Sequence, residues 1–150
     1  MKHTRLTTAL LLILTVFIIT SCSKKDEPEP SMGDQVAGNY TFNKFTFSGF
    51  TGDLPFTDPT SGTTLSGKVE VKKVADDKVT AAITLSYKDK AGKVTDEPSS
   101  PQEVTLKKAT TGEIEAYLGS SKIGTYNNGL LSLNVNHSTF GAGVLSGKKN

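Results

Sequence analysis

From Val36 onward the apolar residues recur at every second position, and no window carries them at helical spacing over three turns. The run Val79-Ala81-Ile83-Leu85-Tyr87 is the plainest case, with Thr80, Ala82, Thr84, Ser86 and Lys88 interleaved between its members. Val69-Val71, Val104-Leu106, Ile114-Ala116-Leu118 and Leu131-Leu133-Val135 repeat it. Successive side chains of an extended chain point to opposite faces. Each run is therefore a strand with one face for a core and one for water, and a chain patterned this way folds as an antiparallel all-β domain.

Turn chemistry divides the strands. Ala75-Asp76-Asp77-Lys78 is a tight connection, while Lys90-Ala91-Gly92-Lys93 and Thr110-Thr111-Gly112 supply glycine for backbone that needs positive φ. Asn127-Asn128-Gly129 is the strongest hairpin signal. The spacing predicts eight strands, over 38–48, 65–75, 78–88, 101–108, 113–118, 121–126, 130–136 and 140–148. In the first, Tyr40 and Phe42 have one parity and Phe45 and Phe47 the other, so a bulge or sharp bend is expected at Asn43-Lys44 to bring all four rings to one side.

Eight strands joined in sequence and without a helix make either a closed up-and-down barrel or a two-sheet β-sandwich, and closure removes exposed edges. Gly38-Asn39-Tyr40, at the start of the first strand, resembles the Gly-x-Trp motif of lipocalins, with Tyr in place of Trp. The long connection from Gly49 to Ser66 is similar to the large first loop over a lipocalin barrel mouth. The resemblance implies a small lipocalin-like, or more broadly calycin-like, barrel over residues 36–150. This sequence departs from that pattern in having no arginine after Arg5, so the Arg that packs on the motif's aromatic is missing, and no helix follows the last strand.

The first 35 residues carry a different message. A basic start (Lys2, His3, Arg5) precedes the apolar run Ala9–Ile19, which has the length of a secretory h-region. The run ends Ile19-Thr20-Ser21-Cys22, which resembles a bacterial lipobox. That resemblance implies a signal peptide over 1–21, cleavage before Cys22, and acyl chains on Cys22 that hold the protein to a membrane. Residues 22–35 read as a disordered tether, rich in charge and proline. The acidic pair in Lys25-Asp26-Glu27 resembles the export signal of Bacteroidota lipoproteins, which implies the outer membrane and its outer surface; an ordinary linker on the periplasmic face is the alternative.

Composition narrows the chemistry. Lys2 and Arg5 leave with the signal, so of 17 basic residues 15 remain against 15 acidic ones, and no basic stripe points to nucleic acid. Cys22 is the only cysteine, leaving no thiol for a disulfide, a thiolate metal site or a nucleophile. His137 is the only histidine beyond the signal, which excludes a multi-histidine metal centre, and its neighbour Ser138 lies on the opposite face of an extended chain. Glu113 and Glu115 share one face but alternate with apolar Ile114 and Ala116, which places them on the wet side. Gly141-Ala142-Gly143 has no helix after it and suits close backbone approach rather than phosphate binding. No catalytic residue, metal or cofactor is expected, and the chain is read as a non-enzyme.

The stretch Gly49–Pro59 is the most informative for function. It sets Phe50, Leu54 and Phe56, with Asp53 and Asp58, in a loop-like composition. Loops of this length are functional or disordered, and three large apolar residues argue against disorder. They either plug one end of the barrel or form a binding loop; Asp53 and Asp58 lack the spacing of a calcium loop. Three functions stay open: a barrel that takes a small apolar ligand, a protein-binding module such as a protease inhibitor, and an accessory subunit of a surface complex. A hollow interior beneath Phe50–Pro59 separates the first from the others.

Overall fold

The strands form where the alternation places them. The computed structural model describes residues 28–137 and 141–150, the side chain of His137 excepted. A single helical turn, α1 (Met32–Val36), is followed by β1 (Gly38–Phe47), β2 (Phe50–Asp53), β3 (Phe56–Thr57), β4 (Thr64–Ala75) and β5 (Lys78–Lys88). Then come β6 (Val94–Pro98), β7 (Gln102–Lys108), β8 (Ile114–Leu118), β9 (Ser121–Asn127), β10 (Leu130–His137) and β11 (Gly141–Lys149). The order β1-β11-β10-β9-β8-β7-β5-β4, with β1 also paired to β4, closes an eight-strand antiparallel up-and-down barrel. The eight barrel strands are those the alternation predicts; β2, β3 and β6 are additions at one end. Ladder closure decides for the barrel over the sandwich.

The bulge in β1 lies where the parity break requires it. The pairing with β11 shifts between Phe42 and Lys44, so Asn43 is the extra residue, and its carbonyl accepts a 2.9 Å bond from the Leu54 amide. Tyr40, Phe42 and Phe45 are all buried as a result. The same residue splits the neighbours of β1: its first half pairs with β4 from Gly38 to Thr41, its second half with β2 from Lys44 to Phe47. The Asn128-Gly129 turn has both residues at positive φ, as a two-residue hairpin turn demands.

Glycines on the strands beside β1 make room for its rings. Phe42 lies between Gly67 of β4 and Gly147 of β11, where an added Cβ would come within 2.9 and 3.1 Å of the ring. Phe47 covers Gly143 so closely that a Cβ there would overlap its ring, which is the close approach expected of that segment. Burying an aromatic of this size contributes about 1.5–3 kcal/mol, and the bare backbone beside it keeps the contact free of strain.

The end of the barrel at which β1 begins, here the base, is filled. The expected tether over 22–35 ends short of its last residues, because from Met32 the chain is part of the fold: Ser31 caps α1 by accepting from the Asp34 amide at 3.2 Å, and Val36 is 3% exposed within the core. The Gly33 amide donates to the Asp76 carbonyl at 2.8 Å, and Asp34 meets Lys73 Nζ at 2.8 Å, so the turn is fastened across the strand ends. Exposed pairs of this kind contribute little individually; the buried Val36 is what seats the plug. The Tyr40 hydroxyl donates to the Val36 carbonyl at 2.5 Å and its ring meets Tyr126 edge-on at 6.4 Å. Burial raises the Tyr40 phenol well above its usual range. The Lys149 stem crosses Gly38, and its ammonium donates to the Gln35 carbonyl at 3.0 Å. Among the described residues the plug and the closed barrel share one hydrophobic core.

Candidate functional site

The other end of the barrel is hollow. Ser48 and Gly49, both at positive φ, turn β1 directly into β2, so that Phe47 pairs with Phe50. β3 then pairs with the start of β4 through Phe56↔Leu65 and Thr57↔Thr64. The stretch read as one long loop is therefore two short strands that continue the wall upward. Four rings meet there: Phe45 lies 6.1 Å from Phe47, 5.7 Å from Phe50 and 5.5 Å from Phe56, and Phe50 lies 6.1 Å from Phe56. Edge and tilted contacts at these distances are the favourable ones for aromatic pairs.

These rings line an open cleft of about 610 Å³ at the mouth, together with Leu65 and Tyr87. Ser48, Asp58, Ser61 and Thr63 form its polar rim. Below it a second cavity of about 270 Å³ runs into the barrel between Leu54, Ile83, Leu85, Val135 and Leu145. Phe47 and Leu65 border both spaces. At the base, by contrast, Val36, Val71, Val79, Val104, Leu131 and Leu133 close on a space of only about 20 Å³. The two halves of one barrel differ sharply: the lower is packed, the upper is not.

The wall beside the upper cavity is also incomplete. β9 pairs with β10 only from Leu130 to Leu133, leaving Asn134–His137 paired to β11 alone. On the other side β6 pairs only with β5. Glu97 and Ser99 from the β6 side and Val135 and Asn136 from β10 line the inner cavity together. The cavity thus opens sideways, above the short β8–β9 hairpin, as well as toward the mouth.

The residues of the expected binding loop divide among different roles. Phe50 is 57% exposed at the mouth and Phe56 half-buried beneath it, both on the cleft. Leu54 is buried and forms part of the inner wall. Asp58 lies on the cleft rim, but its oxygens accept from the Thr60 amide at 2.8 Å and the Ser61 hydroxyl at 2.7 Å, which hold its turn. Those bonds, the Ser61 hydroxyl first, hold its carboxyl below the usual range. Asp53 stands exposed opposite Lys44 and lines neither space. Sequence reasoning missed Tyr87, Leu65 and Glu97 as site residues. The first two look like any core residue in an alternating strand, and β6, which carries Glu97, has no apolar alternation to announce it.

Other chemistry-bearing residues stand apart from this site. Glu115 is on the outer wall, taking Lys122 Nζ at 2.6 Å and the Tyr117 hydroxyl at 2.8 Å, and Glu113 lies 4.0 Å from the same lysine. The Lys122 bond leads in holding the Glu115 carboxyl below its usual range. Among the described residues no group of histidine, cysteine, aspartate or glutamate is placed to hold a metal ion. Cys22, the expected signal peptide over 1–21 and the His137-Ser138 side-chain pair lie outside the described residues.

No protein-family model and no curated protein matches the sequence. Among solved structures the chain is similar to a de novo designed fluorescence-activating β-barrel, at 12% identity over 79% of this chain and 96% of that one, with a TM-score of 0.38. A likeness at that level says nothing of ligand or activity.

Proposed function

We propose that this protein is a non-catalytic binding barrel that takes a small apolar ligand into its upper half and is held to a membrane by acyl chains on Cys22. The observation that carries the ligand reading is the inner cavity of about 270 Å³, walled by aliphatic side chains beneath an aromatic cleft. Together the two spaces have the size and apolar lining of ordinary small-molecule sites, with a few polar groups at the rim. The contrast with the base, where only about 20 Å³ remains, supports the same reading.

The test uses residues 28–150 and the neutral dye N-phenyl-1-naphthylamine. Saturable fluorescence enhancement at a one-to-one ratio is expected, displaced by medium-chain aliphatic compounds. Phe56→Ala, which removes a ring from the cleft, should weaken dye binding by roughly 3- to 10-fold, the scale of one partly buried aromatic contact. Non-saturable binding, or none, would overturn the ligand reading and leave a protein-binding role for the Phe50–Phe56 hairpin to be tested against proteases.

The anchoring proposal rests on the lipobox resemblance at Ile19-Thr20-Ser21-Cys22. Two or more acyl chains suffice for stable attachment where a single one does not. Cys22→Ala should move the protein out of the membrane fraction and abolish labelling by a palmitate analogue. Membrane retention of that variant would refute the tether. Protease shaving of intact cells distinguishes the outer surface from the periplasmic face.

A further inference from the structure

We propose that the ligand of the upper cavity is an amphipathic cation: an alkyl chain carrying an ammonium-type head, rather than a fatty acid. The inference rests on the apolar-ligand reading above and adds the chemistry of the head group. Its basis is the position of Glu97. In the β5–β6 ladder Glu97 is directly opposite Leu85, so both side chains project from the same face, and both line the inner cavity. The ladder thus sets an exposed acidic residue at the side opening of an apolar space.

That carboxylate is not spent on a neighbour. Among the described residues the Glu97 side chain takes part in no hydrogen bond or ion pair, unlike that of Asp58, whose oxygens are engaged in its own turn. Lysine lines neither the inner cavity nor the cleft. At the rim, Lys90 acts on Asp58. A ligand carboxylate would meet like charge there with no counter-ion in the lining, whereas an ammonium would find one.

The rings of the mouth favour the same sign. Phe45, Phe47, Phe50, Phe56 and Tyr87 surround the cleft above the cavity, and aromatic faces attract cations through the ring quadrupole while offering nothing to an anion. The Tyr87 phenol is raised from its usual value by burial first and by Glu97 second, which puts ring and carboxylate within reach of each other's fields. An aliphatic tail between Leu54, Leu85 and Leu145 would leave its head at the side opening, between Glu97 and Asn136, with the rings above it.

A charge directed inward from an edge strand also deters edge-to-edge pairing, so the experiment separates the two roles. Octylamine, octanol and octanoate are compared as competitors of N-phenyl-1-naphthylamine on residues 28–150, at neutral pH and low salt. Octylamine is expected to compete roughly fivefold better than octanol, the scale of one partly exposed ion pair, and octanoate worst. Glu97→Gln should bring amine and alcohol to parity without weakening octanol, and Glu97→Lys should reverse the order in favour of octanoate. Equal or better binding of octanoate by the unaltered protein, or an amine preference that survives Glu97→Gln, would overturn the inference while the cavity reading stands. Failure of all three to displace a bound dye would remove the cavity reading and this inference with it.

Discussion

Replacing Phe42 by alanine is expected to cost about 3–5 kcal/mol of folding stability, the range for a buried aromatic that leaves a cavity behind. The ring is 1% exposed and lies between two glycines, Gly67 and Gly147, on the two strands that flank β1. Neither glycine has a side chain to swing into the vacated space, so collapse would require the backbones themselves to approach. That is the circumstance in which the cavity penalty stays high. A domain of this size has roughly 5–15 kcal/mol in total, so the variant should lose much of its denaturant midpoint, and Phe50→Ala, at the exposed mouth, should shift it by less than about 1 kcal/mol. Urea unfolding followed by circular dichroism measures both. A Phe42→Ala variant within about 1 kcal/mol of the parent would mean that the ring is not the keystone of the packed half. Filling the opposite way is also disfavoured: Gly67→Ala puts a methyl 2.9 Å from the Phe42 ring and 3.0 Å from Leu85, so one of them must shift.

The same feature explains why the barrel was legible from the sequence. Alternation specifies which face of a strand is buried, and a one-residue slip would turn every side chain over; hence the eight strands follow from parity with the turn residues between them, and the bulge at Asn43 from parity alone. Elements not supported by alternation were not legible. β6 is exposed along its whole length, so no periodicity marks it. β3 has only two residues. α1 is one turn, too short for a helical repeat, although Ser31 followed three residues later by Asp34 is the spacing of a helix cap. The hairpin into β2 had a signal in Phe47-Ser48-Gly49-Phe50, two apolar residues around a Ser-Gly pair. It was submerged in the polar composition that follows.

The candidate site is harder to read than the fold for a related reason. Whether an inward residue touches its neighbours across the barrel depends on three-dimensional distance, and alternation is blind to it. Leu131 and Val135 both face inward on β10, yet one lines the 20 Å³ remnant of the filled base and the other the 270 Å³ cavity. Nothing in Leu-Ser-Leu-Asn-Val distinguishes them. The loop after the first strand was recognisable because large apolar residues in a turn-rich stretch need a reason. Glu97 was not, because its inward direction comes from its register with Leu85.

That difference along a single strand gives the second large expected effect. Val135→Trp places an indole into existing empty space, so its cost in overpacking should be small: stability within about 1 kcal/mol of the parent, or slightly raised by the added apolar contact. Leu131→Trp, four residues below and 3% exposed, has no such room. Inserting extra atoms into a filled interior costs about 1–3 kcal/mol or more. Binding should respond in the reverse sense. Val135→Trp occupies the volume that the ligand requires and should weaken N-phenyl-1-naphthylamine by at least about tenfold, the loss of roughly 1.4 kcal/mol. Leu131→Trp, in conditions where it remains folded, should bind the dye nearly as the parent does. The chain has no tryptophan of its own, so each variant carries a single indole, excited selectively over the tyrosines, and a blue-shifted indole emission in both confirms that the new ring is inside. If the two substitutions cost the same stability and neither changes dye affinity, the upper half is not the hollow described above, and the ligand reading falls with it.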